Sequence, residues 1–225
     1  MNKLYKITGF IPFISMIFLN AAVDLGHKII IQNTIFKIYD GSEQVILTAI
    51  VNGLILLPFI MLFTPAGFLA DRFKKPHIMQ WAAFNAVLIT LTITLSYYMG
   101  WFYLAFAMTF ILAVQSAFYS PAKYGYIREI SGKTSLTAAN GVVQATTIVA
   151  ILGGMFLFSV LFENALNAHD YSSEKDIIQI IAPLGWLLVA GSLLELYFAF
   201  NVPSLVTDTK HRTFNWHRYR TGRML

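Results

Sequence analysis

Apolar positions along the chain fall into long blocks with no regular alternation. Six runs stand out, at residues 8–31, 45–67, 78–97, 101–121, 138–162 and 178–201. A helix needs about 20 apolar residues to cross a bilayer core, and each run reaches that length. A membrane barrel would instead show apolar-out, polar-in alternation over short segments. Residues 78–122 contain no Asp, Glu, Lys or Arg at all. They divide at Ser96-Tyr97-Tyr98-Met99-Gly100-Trp101, where glycine breaks the helix and the aromatic rings favour an interface. The pattern predicts an all-α membrane protein with six transmembrane helices, forming one bundle over residues 1–203. The first run follows Lys3 and Lys6 as a leader peptide would. Its candidate cleavage zone, Asn20-Ala21-Ala22-Val23, fits the small-residue pattern poorly, so it reads as a retained span.

Composition reinforces that reading. Apolar residues make up 57% of the 225 positions and charged ones 12%, with mean hydropathy +0.63. Soluble domains carry about 25% charged residues, so soluble and disordered classes are excluded. The absence of cysteine removes disulfides, thiolate metal sites and thiol nucleophiles together. No H-E-x-x-H, phosphate-binding glycine loop, G-x-S-x-G or H-x4-D motif occurs, so the expectation is a non-enzyme without metal or cofactor.

The net charge of +5 does not point to nucleic acid, because the basic residues sit in short segments between apolar runs. Lys3, Lys6, Arg72, Lys74, Lys75, Lys123, Arg128, Lys133, Lys210, Arg212, Arg218, Arg220 and Arg223 fall on one side of a six-span topology. Only Lys37 and Lys175 fall on the other, beside an acidic loop holding Glu163, Asp170, Glu174 and Asp176. The positive-inside rule then predicts both termini in the cytoplasm.

Ionisable residues inside spans are costly and mark function by default. Asp24 and Lys28 are spaced i,i+4, and Asn20 and Gln32 extend the same stripe, with His27 beside it. Two readings stay open: a hydrophilic pathway wall whose ion pair meets a polar substrate group or ion, or an internally neutralised pair. Asn140, Gln144 and Thr147 form a weaker stripe that faces the same pathway or bonds a neighbouring helix. Thr146, Ala150 and Gly154 have the small-residue spacing of a helix-packing face. Glu195, near the end of the sixth run, is expected to reach the interface and serve only structure.

Three motifs carry a family resemblance. Gly67-Phe68-Leu69-Ala70-Asp71-Arg72-Phe73-Lys74-Lys75 resembles the G-x-L-A-D-R-x-G-R-[KR] signature between spans two and three of the major facilitator superfamily. Lys74 replaces its second glycine, and Pro76 stands where the final basic residue would be. Gly67 is expected to allow close helix approach, Asp71 to cap a neighbouring helix, and Arg72 and Lys75 to hold the turn in the cytoplasm. Ser120-Pro121-Ala122-Lys123-Tyr124-Gly125-Tyr126-Ile127-Arg128-Glu129, followed by Leu136 and Ala139-Asn140-Gly141, resembles the fourth-to-fifth loop of the lysophospholipid transporter family. Asp24-Leu25-Gly26-His27-Lys28 is similar to that family's D-N-x-x-K pattern, with Leu25 in place of asparagine; Gln144 stands where an acid is common.

The resemblance implies the N-terminal half of a major facilitator fold, with residues 204–225 as the start of its basic central loop. It implies a multi-pass protein of the bacterial inner membrane that moves lysophosphatidylethanolamine-type lipids into the inner leaflet for re-acylation. The implied partners are membrane lipids, the lysophospholipid substrate, a C-terminal six-helix half or a second copy, and an acyltransferase; nucleic acid is excluded. The family fold has twelve spans and this chain six, so a bare half would expose its polar stripe to lipid. A generic facilitator exporter of small molecules and a non-transporting membrane remnant are the alternatives.

Overall fold

The computed structural model describes residues 4–167 and 169–205. Long helices follow from the charge-free runs, because backbone polar groups in a bilayer must bond within their own segment. They are α1 (Phe10–Ile38), α2 (Gly41–Arg72), α3 (Lys75–Met99), α4 (Phe102–Ser131) and α5 (Leu136–Leu166). A short α6 (Glu174–Ile180) leads through a 3₁₀ turn (Ala182–Leu184) into α7 (Gly185–Phe200). Among the described residues, six stretches are long and apolar enough to cross a membrane, the sixth being residues Ala182–Phe200. The protein is an all-α membrane protein.

The helices outrun most of the apolar runs, and two of the differences change the picture. The segment around Lys123 to Glu129 is no loop: Pro121 lies inside α4, which runs on to Ser131. Transmembrane helices tolerate proline where neighbouring groups satisfy the freed carbonyl, so it did not end the helix. The sixth run is broken at Ala182-Pro183-Leu184, where Pro183 starts a 3₁₀ turn. Ahead of that break, Ser173 and Asp176 form a reciprocal cap on α6. The Ser172 amide, followed by the Ser173 and Ser172 hydroxyls, holds the Asp176 carboxyl below its ordinary range.

The helices pack in the order α5–α1–α7–α3–α4–α2, with lighter contacts joining α1 to α4 and α2, and α4 to α5. Gly154 sets the α1–α5 approach: a Cβ there would lie 3.0 Å from the Ala22 carbonyl oxygen. With the buried Ala150 it forms the small-residue face expected from sequence. Apolar side chains gather in two clusters. One, near the start of α1, includes Phe10, Phe13, Met79 and Tyr126. The other, near its far end, includes Ile30, Ile35, Phe102 and Phe162. Helices α2 and α5 turn large apolar side chains outward, Ile60, Phe63 and Phe156 among them, as lipid-facing surfaces do.

Lys3 and the basic residues Lys210, Arg212, Arg218, Arg220 and Arg223 lie outside the described residues, as does most of the expected tail at 204–225. Lys37 pairs with Glu163 at 2.8 Å, tying α1 to α5 at the end that also carries α6.

Candidate functional site

Between the two apolar clusters lies a polar layer built by α1, α4 and α7. Asp24 of α1 accepts a hydrogen bond from the Ser116 hydroxyl of α4 through one carboxylate oxygen, and its other oxygen has no partner. Ser116 also lies 3.2 Å from Gln115 Oε1, while Gln115 Nε2 donates to the Ala82 carbonyl of α3 at 3.0 Å. One turn beyond, Tyr119 is buried with an unpartnered hydroxyl. Lys123 follows on the same face, 7% exposed, its ammonium 5.7 Å from the Tyr119 ring centre and 4.7 Å from that of Tyr124. From α7, Glu195 enters this layer beside Asn20 and Asp24.

The expected Asp24–Lys28 ion pair is not formed. Among the described residues the ion pairs are Lys37–Glu163 and Lys75–Glu129. Ser116 draws the Asp24 carboxylate toward α4, while Lys28 stays half-exposed on the open side of α1. Lys28 shares the role of in-span cation with Lys123, which α4 carries into the bundle. Glu195 does not reach the interface: it is fully buried, because the α1–α7 contact turns it inward. That contact is close, since a Cβ on Gly191 would lie 2.7 Å from Val23.

His27 is buried and satisfied on both nitrogens, with Nδ1 2.8 Å from the Tyr97 hydroxyl and Nε2 3.0 Å from the Ala105 carbonyl. It ties α1 to α3 and α4 and does not face the Asp24 layer. Asn20 joins the layer, whereas Asn140 and Gln144 are exposed on α5, and no hydrogen bond among the described residues links them to it. Gly141 is also exposed, in the second turn of α5.

Two of the family-like motifs meet each other. Lys75 at the start of α3 forms a short ion pair with Glu129 near the end of α4. Gly125 makes room for the lysine stem, since a Cβ there would sit 2.5 Å from Lys75 Cε. Gly125→Val should therefore displace Lys75 and loosen this end by about 1–3 kcal/mol, the usual range for overpacking. The check is a lower thermal midpoint of the purified protein, with Gly53→Ala, inside α2 and meeting no neighbour, as a comparison for the loss of glycine alone.

Other motif residues fall short of expectation. A Cβ on Gly67 would meet nothing within 4 Å, so no close approach is made there. Asp71 and Arg72 are exposed at the end of α2, with the Arg72 guanidinium 6.0 Å from the Phe68 ring and 5.8 Å from that of Phe73. Helix α3 has no side-chain cap, so Asp71 does not cap it.

A groove of about 600 Å³ runs between α2, α3 and α4. Its walls include Ile78, Trp81, Ile89, Val114 and Phe118, and Gln115 also lines it. Gln115 thus borders the groove while its neighbour Ser116 holds Asp24.

Fold and site together define a multi-pass helical membrane protein with a polar layer and an apolar groove side by side. Curated proteins similar to it carry the name lysophospholipid transporter. The chain is 38% identical over 116 residues to lysophospholipid transporter LplT of Photorhabdus laumondii, covering 51% of this chain and 26% of that protein. It is 32% identical over 130 residues to the proteins of that name from Yersinia pestis and Yersinia pseudotuberculosis, covering 57% of this chain and 29% of each. The aligned part is therefore under a third of the curated relatives' length. No family model and no solved structure matches the chain.

Proposed function

We propose that this chain is the N-terminal six-helix part of a lysophospholipid transporter with the major facilitator architecture, acting in the bacterial inner membrane. The observation that carries the reading is the Gln115–Ser116 step of α4. A lysolipid needs a polar subsite for its head group next to an apolar slot for one acyl chain. Ser116 and Asp24 supply the first, with Lys123 on the same helix; Gln115 borders the second. The groove volume lies within the roughly 300–1,000 Å³ typical of ligand sites.

In this reading the free Asp24 oxygen accepts from the ammonium of a lysophosphatidylethanolamine head group, and Lys123 faces its phosphate. The acyl chain lies along Trp81, Ile89 and Phe118. The lipid reaches the inner leaflet as substrate for an acyltransferase. Asp71, Arg72, Asn140 and Gln144, exposed here, face the complementary six-helix half.

The test is uptake of a labelled lysophosphatidylethanolamine by vesicles holding this chain and its complementary half. A hydrogen bond to a charged group is worth about 1.5–3 kcal/mol, so Asp24→Asn and Lys123→Met should each lower uptake about tenfold or more. Full uptake by both variants, at normal protein levels, would remove these residues from the substrate path.

The orientation has its own test. The proposal puts the Lys75–Glu129 end in the cytoplasm and the Lys37–Glu163 end outside it. The chain has no cysteine, so single ones report cleanly. An impermeant maleimide should label Asp170→Cys, but not Lys133→Cys, in cells with only the outer membrane opened. Both positions are exposed, so the reverse pattern would invert the topology.

A further inference from the structure

Among the described residues, Glu195 is the one buried acid that the proposed transport path leaves unused. It lies on α7, 0% exposed, and neither of its carboxylate oxygens completes a hydrogen bond of normal geometry. Asp24 stands next to it on α1 with one oxygen also open. We propose that Asp24 and Glu195 together hold one proton inside the bundle, making the α1–α7 contact a proton-binding site.

The groups around the pair decide this. From α1 come Asn20 and Asp24, and from α4 come Ser116, Tyr119 and Lys123. From α3 come only neutral groups, already engaged: Thr90 bonds Ser192, and Gln80 bonds the Ala199 carbonyl. Lys123 is the only cation among these groups. It makes no ion pair with either acid within 4 Å and is held over two tyrosine rings. Two ionised carboxylates and one lysine would leave a net negative charge buried between the helices. Such a charge is resolved by neutralisation, because like charges at close range in a low dielectric cannot both persist. One proton makes the layer neutral.

The hydrogen bonds say where the proton sits. Ser116 donates to Asp24, which favours the ionised form there. Glu195 has no donor so well placed. The Asn20 amide borders it with its Nδ2 still unpartnered, and Tyr119 Oη nearby is unpartnered too. Glu195 therefore carries the proton, with Asp24 as the ionised member facing Lys123. Removing the proton would place two like charges at the helix contact that Val23 and Gly191 make tight.

The site can be read without any transport, so its failure is separable from failure of the lipid reading. The probe is infrared spectroscopy of this purified chain in lipid bilayers at neutral pH. A protonated carboxyl gives a carbonyl stretch distinct from that of a carboxylate, and the acids at the helix ends are hydrated or ion-paired. We expect one protonated-carboxyl band that shifts in D₂O, is lost in Glu195→Gln, and survives in Asp24→Asn. If Glu195→Gln does not fold, as judged by its helical circular dichroism, the wild-type and Asp24→Asn spectra still decide. Absence of the band from the wild type, or its survival in a folded Glu195→Gln together with Asp24→Asn, would overturn the proposal.

Discussion

Gly154→Leu should abolish a stable bundle, while Gly153→Leu, one residue away, should leave it intact. The contrast comes from which side of α5 each residue occupies. A Cβ on Gly154 would lie 3.0 Å from the Ala22 carbonyl oxygen and 3.1 Å from its Cα, whereas one on Gly153 would meet nothing within 4 Å. The obstructing atoms are helix backbone, which cannot rotate aside. Between membrane helices there is little hydrophobic driving force to offset a separation, since lipid is as apolar as leucine; packing itself holds them. Overpacking costs about 1–3 kcal/mol when neighbours can adjust. With backbone opposite, the effect should reach or exceed the upper end of that range. The α1–α5 contact also holds Asn33 of α1 against Ser159 of α5 at 2.8 Å, so displacement would break that bond too. Purified in detergent, Gly154→Leu should elute as aggregate or unfold at least 10 °C lower. A wild-type midpoint for Gly154→Leu would mean that α5 does not sit on α1 as described. Gly153→Leu serves as the matched control for bulk and hydrophobicity.

The fold was largely legible because the sequence states it in charge: apolar runs with few or no charged residues, longer than any strand, separated by segments where the charges collect. The site was legible only along a single helix. Asp24 and Lys28 share a helical face, and spacing alone makes them partners. The partner that matters, Ser116, lies 92 residues away on α4, and no periodicity reports such a contact. The apolar run ends at residue 121, and the sequence from Ser120 resembles a family loop, which together put Lys123 between spans. Here Pro121 sits inside α4, carrying the lysine into the bundle. Glu195 could not be oriented from sequence at all. As a lone acid near a span end it reads as surface-seeking, and only the packing of Gly191 against Val23 turns it inward. The Lys75–Glu129 pair had a local signal, a lysine and an acid each closing a family-like motif. What pairs them is the space left by Gly125, a feature of two helices and not of one.

Reconstituted alone as a monomer, residues 1–225 should move no lysolipid across a bilayer. In the proposed reading the bundle gives one wall of a pathway; Lys28 and Gln32 are half-exposed on α1, and Asn140 and Gln144 are exposed on α5. Transporters built from repeats bind substrate near the midplane between two bundles and alternate access by rocking one against the other. A single bundle has nothing to rock against, so no occluded state can form around Asp24 and Lys123. The same exposure predicts association, because polar groups facing lipid gain by finding partners on another bundle. The measurement is transbilayer movement of labelled lysophosphatidylethanolamine in liposomes, at protein densities where cross-linking shows monomer only. Protein-free liposomes set the baseline, and co-reconstitution with a complementary six-helix half is the positive control. Movement above baseline by the cross-link-verified monomer would sink the half-transporter reading. Movement that rises with the square of protein density would show instead that two copies of this chain can face each other across the pathway. Asp24→Asn should then silence that activity as well, since each copy would bring the same polar layer.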